Sequence, residues 1–425
     1  MPLSLPRGTS DFGPADSIRL KAMRDAVEET FKRFGFYPIE TPAVELTETL
    51  SAKAYGEESR KEMYILEDGA EGLRYDFTVP LARYMSMNKD LQMPFKRYQI
   101  GTIWRRDEPQ KMRRREFLQA DIDVVGSTEP ASDAEVIAAA AAAVERLGVS
   151  SYTVLINSRV FLDSILDMFK IPKESHTGII RSMDKLDKVG ATEAAAQIAK
   201  QGLDTKTAQA LLEFVTKERD DNTALLDELR VSIPDAKPEI DRIAGLLGLL
   251  GSYGISGQIT LDLSLARGFD YYTGGIWELV SFENGKRMPT IAAGGRYDKL
   301  MGLCSKKELP AVGFSIGISR IFDMQRDGAE SSRTYARVYL ATIGKENLQY
   351  AVAIAMKLRS SGICVDMNLT ERGIAKQMEY ANALRVPYVA ILGNIERQAG
   401  KVKLRNMQSG DEKMLTIDEC VKELK

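Results

Sequence analysis

The stretch Phe95–Gly126, FKRYQIGTIWRRDEPQKMRRREFLQADIDVVG, decides how this chain is read. It predicts two strands, about Arg97–Arg105 and Glu116–Val125, joined by a long charged hairpin loop. In the second strand Leu118, Ala120, Ile122 and Val124 point one way, and Phe117, Gln119, Asp121 and Asp123 the other. A half-buried strand ordinarily carries Lys, Thr or Ser on its wet face. This one carries an aromatic ring, an amide and two carboxylates. The loop beside it holds Arg105, Arg106, Arg113, Arg114 and Arg115, and residues 96–115 contain eight Lys/Arg against two acids. Such a pairing suits a site where a polyanion meets a small cationic or amine-bearing ligand. Taken alone, a basic hairpin reads first as a solvated edge, and its carboxylates as surface ion-pair partners. The rest of the chain shifts that balance.

With 425 residues the chain is long enough for two or three domains with substantial cores. Its 58 basic and 60 acidic side chains exclude a polybasic scaffold, but the charge is uneven. From Arg333 onward there are 15 Lys/Arg and 10 Asp/Glu, a net of +5, which leaves −7 on residues 1–332. A basic tail on an acidic body fits a local nucleic-acid footprint. Cys304, Cys364 and Cys420 are too scattered for a disulfide framework or a zinc site, so a reducing cytoplasm is expected. The N-terminal MPLSLPRGTSDFG lacks an apolar signal core, and no apolar run approaches the length of a membrane span. A soluble protein with no membrane partner follows as an expectation. The single histidine, His176, lies away from every motif. That excludes a His-dependent triad, a multi-His metal centre and an HExxH protease. The chemistry must rest on Arg, carboxylates, amides and tyrosines.

Outward from the hairpin, the pattern predicts a helix over about Asp16–Phe34 that stops at Gly35, then an extended segment Tyr37–Leu46. Pro42 in that segment cannot donate to a ladder, so an edge or interface position is expected. Leu73–Met85 reads as a short strand turning into a helix near Pro80, and Ser132–Leu147 as an Ala-rich helix before the strand Tyr152–Asn157. Residues 160–253 are helical in period and poor in strand signals, as an insertion would be. Strand signals return through Gly268–Phe282, Ala292–Leu300 and Val312–Gly317, with a helix from about Ile318. After a polar linker, 326–334, a βαβαβ alternation from Tyr335 to Leu392 predicts a small parallel sheet. No GxxxxGK[ST] phosphate loop is present, so any nucleotide must be held in another way.

The hairpin resembles motif 2 of class II aminoacyl-tRNA synthetases. Leu265–Glu278, LARGFDYYTGGIWE, and Ala292–Leu300, AAGGRYDKL, resemble the two signatures private to histidyl-tRNA synthetases. Leu73–Tyr84, LRYDFTVPLARY, is similar to the histidine-binding segment of the archaeal and eukaryotic branch. The opening PRGTSDF, the Pro42 edge (motif 1) and GFSIGISRI (motif 3) stand in the expected order, so the resemblance spans nearly the whole chain. It implies an α+β catalytic domain with a mixed, mainly antiparallel sheet, carrying a helical insertion, plus a C-terminal α/β anticodon-binding domain. The boundaries expected are 1–159 and 254–325 for the catalytic core, 160–253 for the insertion and 335–425 for the tRNA-binding domain. The implied activity joins L-histidine to its tRNA using ATP, with Mg2+ accompanying the nucleotide and a homodimer as the working unit.

The same resemblance implies the site. Arg105 would hold the α-phosphate, Arg113 and Arg320 the outer phosphates, and Phe117 would stack on adenine. Arginine suits these roles because its planar fork binds phosphate oxygens in pairs and keeps its charge. Arg267, opening the private signature, would approach the α-phosphate opposite Arg105 and contact histidine. Asp76, Thr78, Gln119, Asp123, Tyr272 and Tyr297 would form the histidine pocket. Asp123 and Tyr272 can serve the two ring nitrogens, and Asp76 and Gln119 the α-ammonium group. Tyr271 is assigned to strand packing on alternation. No side-chain metal ligand is assigned. Lys401, Lys403, Arg405 and the Arg114–Arg115 part of the loop are candidate tRNA contacts. Asp107, Asp76 and Asp123 are the shorter carboxylates shared by the archaeal and eukaryotic branch, and Ser319 stands where Glu is common in motif 3. Two other readings remain at this level: a non-charging paralogue regulating histidine biosynthesis, and a free-standing ligase that adenylates histidine without charging tRNA. A class I synthetase is excluded, because its HIGH signature needs two histidines.

Overall fold

The predicted hairpin supplies two adjacent inner strands of a mixed sheet. Phe95–Trp104 and Glu116–Val125 pair antiparallel without a break, from Phe95 opposite Val125 to Trp104 opposite Glu116. The computed structural model describes residues 3–51, 63–267, 271–283, 286–300, 302, 308–326 and 332–425. It divides into two units, Met1–Ser10 with Met23–Asp327, and Asp11–Ala22 with Gly328–Lys425.

Among the described residues the first unit's main sheet has nine strands. Across it run Tyr37–Pro38, Phe95–Trp104, Glu116–Val125, Ala311–Ile316, Ala292–Arg296, Gly275–Glu283, Tyr152–Ser158 and Ile259–Leu261, with Lys286–Arg287 paired to Gly275–Glu283. The two edge strands are parallel to their neighbours and every pairing between them is antiparallel. Tyr37–Pro38 is an edge, and Val44–Leu46 is the edge of a separate three-stranded sheet with Glu71–Leu73 and Tyr64–Ile65. Both fit the position expected around Pro42.

Period-two alternation gives the sheet two unlike faces. Tyr98, Ile122, Val124, Phe314 and Trp277 lie on the apolar side, all buried. The helix Pro130–Arg146 covers the strand Ala311–Ile316 there, and its run of alanines allows a close approach. Tyr98 also meets Phe31 of the helix Pro14–Arg33, with ring centroids 5.9 Å apart. The other side presents Arg97, Gln99, Gln119, Asp121, Asp123, Ser315 and Glu278. The strand Glu116–Val125 is buried from Gln119 to Val125. It is central, with a strand on each side, so its polar face is enclosed as well.

Between Ser158 and Ile259 the described elements are all helical: Arg159–Met168, Lys173–Met183, Leu186–Val189, Ala191–Ala199, Thr205–Thr216, Asn222–Ser232 and Lys237–Ser252, with short 3-10 turns. His176 is buried there, its ring nitrogens facing Asp163 Oδ1 at 3.0 Å and the Ile171 carbonyl at 3.1 Å. It joins two helices and takes no part in the site described below.

The second unit's sheet runs Val365–Met367, Val338–Thr342, Tyr388–Leu392, Val402–Asn406, Glu412–Leu415. Its first three strands are parallel as expected, but the last two are antiparallel, so the sheet is mixed. The added hairpin escaped the sequence reading because it is short and charged, with Val402 and Leu404 buried in the core and Leu415 packed against it. Ile417–Leu424 closes the unit as a helix, capped reciprocally by Thr416 and Glu419.

Two glycines are required where the strands cross the polar face. A Cβ on Gly313 would lie 2.0 Å from Asp123 Oδ1, and one on Gly295 would lie 2.6 Å from the Tyr272 ring. Gly313→Ala is expected to lower stability by about 1–3 kcal/mol, the usual range for overpacking. Thermal melts of the two proteins check this.

Candidate active site

Asp123 is directly opposite Arg97 on one neighbouring strand and Gly313 on the other. Arg97 Nη2 lies 2.6 Å from Asp123 Oδ2, and neither side chain is more than 4% exposed. The Tyr297 hydroxyl donates to Asp123 Oδ1. A carboxylate has about four acceptor positions, so room remains for one more donor. Burial pushes the Asp123 carboxyl up to about 6, although the Arg97 charge pulls the other way. The Tyr297 hydroxyl is raised by burial and then by the Asp123 charge. Sequence reasoning missed Arg97, the ion that makes a charged Asp123 tolerable in the sheet. The available signal was an arginine on the same strand face as Gln99 in a strand too apolar to be solvated.

Gln119, two positions along the same face as Asp121, donates from Nε2 to Asp121 Oδ1 at 2.7 Å. Asp76 caps the helix Thr78–Met87, accepting from the Thr78 and Val79 amides at 3.1 Å each. Its segment is fastened on both sides. Arg74 donates to the carbonyls of Thr102 and Thr41 at 3.1 and 2.6 Å, and Tyr75 donates to the Leu50 carbonyl at 3.0 Å. Asp76 contributes to the raised values of both Asp123 and Tyr271, so the electrostatics couple it to the pocket.

Tyr271 does not follow the packing role assigned to it. The strand begins at Gly275, so alternation does not govern the tyrosine pair. The two rings lie 4.4 Å apart with a hydroxyl–hydroxyl distance of 3.3 Å, and Tyr271 meets Tyr297 edge-on at 6.0 Å. All three tyrosines form one cluster beside Asp123. Gly268, Phe269 and Asp270 of the same signature lie outside the described residues.

The arginines gather along the adjoining end of this face. Arg105 Nε donates to the Tyr75 carbonyl at 2.9 Å, and its guanidinium lies 5.5 Å from the centre of the Phe117 ring. Arg113 is paired with Asp107 at 2.8 Å and remains 42% exposed. Arg320 bonds the Thr290 carbonyl, and its guanidinium is lowered by burial, then by the facing charges of Arg113 and Arg105. Guanidinium groups held this way offer paired donors of the kind that suit an anion. Arg267 Nη1 meets Glu278 Oε1 at 2.7 Å, and Glu278 Oε2 accepts from the Thr290 hydroxyl at 2.7 Å. Glu278 therefore connects Arg267 to the residue that holds Arg320. It was missed although it ends the private signature. A carboxylate between the apolar residues Trp277 and Leu279 in the middle of the strand Gly275–Glu283 was the available sign.

Other expectations changed. Arg114 turns inward to Asp323, with contacts of 3.0 and 2.5 Å. Arg115 Nε donates to the Asp107 carbonyl at 2.8 Å. Neither is presented as an open cation. Lys403 and Arg405 flank Glu412 at 2.6 and 3.2 Å, which reduces their pull on a phosphate backbone. Ser319 accepts from the Leu118 amide at 2.8 Å, tying motif 3 to the hairpin strand.

A model of histidyl-tRNA synthetases matches residues 8–321, and a model described as anticodon binding domain matches residues 337–425. The chain belongs to the histidyl-tRNA synthetase family. Relatives of this synthetase include histidine–tRNA ligases of Korarchaeum cryptofilum, 36% identical across 95% of the chain and 94% of that protein, and of Aeropyrum pernix, 36% identical across 98% and 96%. Among solved structures, the histidyl-tRNA synthetase of Nostoc sp. PCC 7120 superposes with a TM-score of 0.88 at 27% identity, covering 100% of this chain and 99% of that one. A Bacillus halodurans protein described as an ATP phosphoribosyltransferase regulatory subunit/histidyl-tRNA synthetase shares the synthetase fold, with a TM-score of 0.76 at 22% identity over 92% of this chain and 99% of that one.

Removing the Arg97 charge leaves Asp123 buried beside Tyr297 without its counter-ion. Carboxylate-labelled NMR titration is expected to place Asp123 near 6 in the wild type, and clearly higher in Arg97→Met. The sign is fixed by linkage: between the unfolded value near 3.8 and about 6 the folded chain holds the extra proton, so this group's contribution to stability falls as pH rises through that window. An unchanged midpoint in Arg97→Met would refute the pairing.

Proposed function

We propose that the chain ligates histidine to tRNA by positioning and electrostatics, without a protein nucleophile. As a member of its family it is an aminoacyl-tRNA synthetase that uses ATP. In the first step a carboxylate oxygen of histidine attacks the α-phosphorus of ATP, the bond to pyrophosphate breaks, and histidyl-adenylate forms. In the second, a hydroxyl of the 3′-terminal ribose of tRNA attacks the histidyl carbonyl carbon and AMP leaves. The observation that carries this reading is the crowd of Arg105, Arg113 and Arg320 joined through Thr290 and Glu278 to Arg267, beside the buried Asp123–Tyr297 pocket.

In this reading Arg105 and Arg267 take the α-phosphate, Arg113 and Arg320 the outer phosphates, and Phe117 the adenine. Asp123 accepts from one imidazole nitrogen and Tyr272 serves the other. Gln119 and Asp76 receive the α-ammonium, with Thr78 and Tyr297 completing the wall. A substrate without ring nitrogens would leave these buried groups unpaired, which is a strong source of discrimination. Mg2+ enters as the companion of the triphosphate; among the described residues no three His, Cys, Asp or Glu side chains cluster to hold a resident ion.

The proposed domains are a catalytic core of 1–159 and 254–325, a helical insertion of 160–253, a linker of 326–334 and an anticodon-binding domain of 335–425. Lys401, Lys403 and Arg405 are the candidates for tRNA contact in that last domain, the latter two sharing Glu412. A homodimer is supported by the family and by the exposed apolar Tyr37, Val44, Leu46 and Ile65 on short edge strands. A cytoplasmic location is proposed on composition; no helix among the described residues is long and apolar enough to cross a membrane. The regulatory reading is not favoured, since both private signatures and the anticodon-binding match are retained.

Charging of total tRNA with each labelled amino acid is expected to succeed with histidine alone. Histidine-dependent ATP–pyrophosphate exchange without charging would mean that the tRNA half of the reading is wrong. Arg267→Ala is expected to cost adenylation about 3–4 kcal/mol, the effect of losing one preorganised donor. A single-turnover loss below about tenfold, roughly 1.4 kcal/mol, would sink that role.

A further inference from the structure

Asp121 is a buried carboxylate with no role in the reaction as described. It is 4% exposed, opposite Gln99 on one strand and Ser315 on the other, and accepts from both Ser315 and Gln119. Arg97, already paired with Asp123, also acts on it electrostatically. The contact that matters is Gln119 Nε2 to Asp121 Oδ1 at 2.7 Å. An amide has one donating and one accepting end, and the two are nearly equal in size. An ionised carboxylate only accepts, so it selects the donating end. Among the described residues no donor bonds the opposite end, Gln119 Oε1.

We propose that Asp121 is a positioning residue that locks the Gln119 amide with its oxygen toward the substrate's α-ammonium group. The proposal rests on the assignment of Gln119 to that ammonium. A free amide could turn its NH2 to the cation, where donor would face donor. Asp121 removes that orientation before substrate arrives, without touching substrate itself. Strand geometry makes the lock possible, because positions two apart share a face.

The test uses the full chain and two ligands: histidinol, which keeps the ring and the ammonium, and 3-(imidazol-4-yl)propionate, which keeps the ring and lacks the ammonium. Asp121→Ala is expected to weaken histidinol binding roughly tenfold, the scale of a hydrogen bond to a charged group, and to leave imidazolylpropionate binding within about twofold. The histidine KM in pyrophosphate exchange should rise with histidinol while kcat changes little. Adding Gln119→Glu should restore histidinol binding, because a carboxylate offers an oxygen in either orientation. Asp121→Asn keeps the shape if the alanine variant does not fold, and is expected to show the same selectivity at smaller size. Equal weakening of both ligands, or failure of Gln119→Glu to rescue, would overturn the proposal. If Gln119→Ala leaves histidinol binding unchanged, the ammonium assignment itself has failed and the proposal goes with it. If Gln119→Ala weakens binding and Asp121→Ala does not, only the role of Asp121 is lost.

Discussion

The buried pair between Arg97 and Asp123 is the constraint around which the first unit is arranged. A lone carboxylate in a central strand carries a desolvation penalty of several kcal/mol. Arg97 offsets it from the neighbouring strand, at a register position directly opposite. That pairing requires the hairpin to close without a slip, because one residue of shift would send both charges to opposite faces. It also requires Gly313, since the carboxylate occupies the space of a Cβ there. A polar pocket in the middle of a sheet is thus built from register, counter-charge and a missing side chain.

The arginine-rich end follows different physics. Arg105, Arg113 and Arg320 are drawn toward one another against their own repulsion. Each is held by a fixed partner: the Tyr75 carbonyl, Asp107 and the Thr290 carbonyl respectively. These tethers fix the guanidinium groups in advance, and in the proposed reading little reorganisation is then needed when charge develops on the phosphoryl oxygens. Glu278 performs the same service for Arg267. Carboxylates and carbonyls here act as supports for arginines.

Much of this was legible in the residues. Alternation in Glu116–Val125 placed Phe117, Gln119, Asp121 and Asp123 on one face, and they are on one face because the period of a strand is two. The helical segment between Ser158 and Ile259 and the parallel start of the C-terminal sheet were also readable from periodicity. Alternation misled at Tyr271 and Tyr272, which precede the strand and share one cluster. Charge counting could not show that Arg114, Lys403 and Arg405 are paired, because their partners Asp323 and Glu412 are brought close by folding.

The sequence by itself determined which residue types could do the chemistry. One histidine and three scattered cysteines left arginines, carboxylates and tyrosines, and two signature stretches narrowed them to a family. Local pattern could do this because side-chain direction along a strand or helix depends on near neighbours. Only the tertiary structure decided which charges neutralise each other. Arg97 meets Asp123 from 26 positions away, Arg114 meets Asp323 from 209, and Tyr297 meets Asp123 from 174. Ion pairing depends on distance in space and on burial, and neither is encoded in the spacing of residues along the chain.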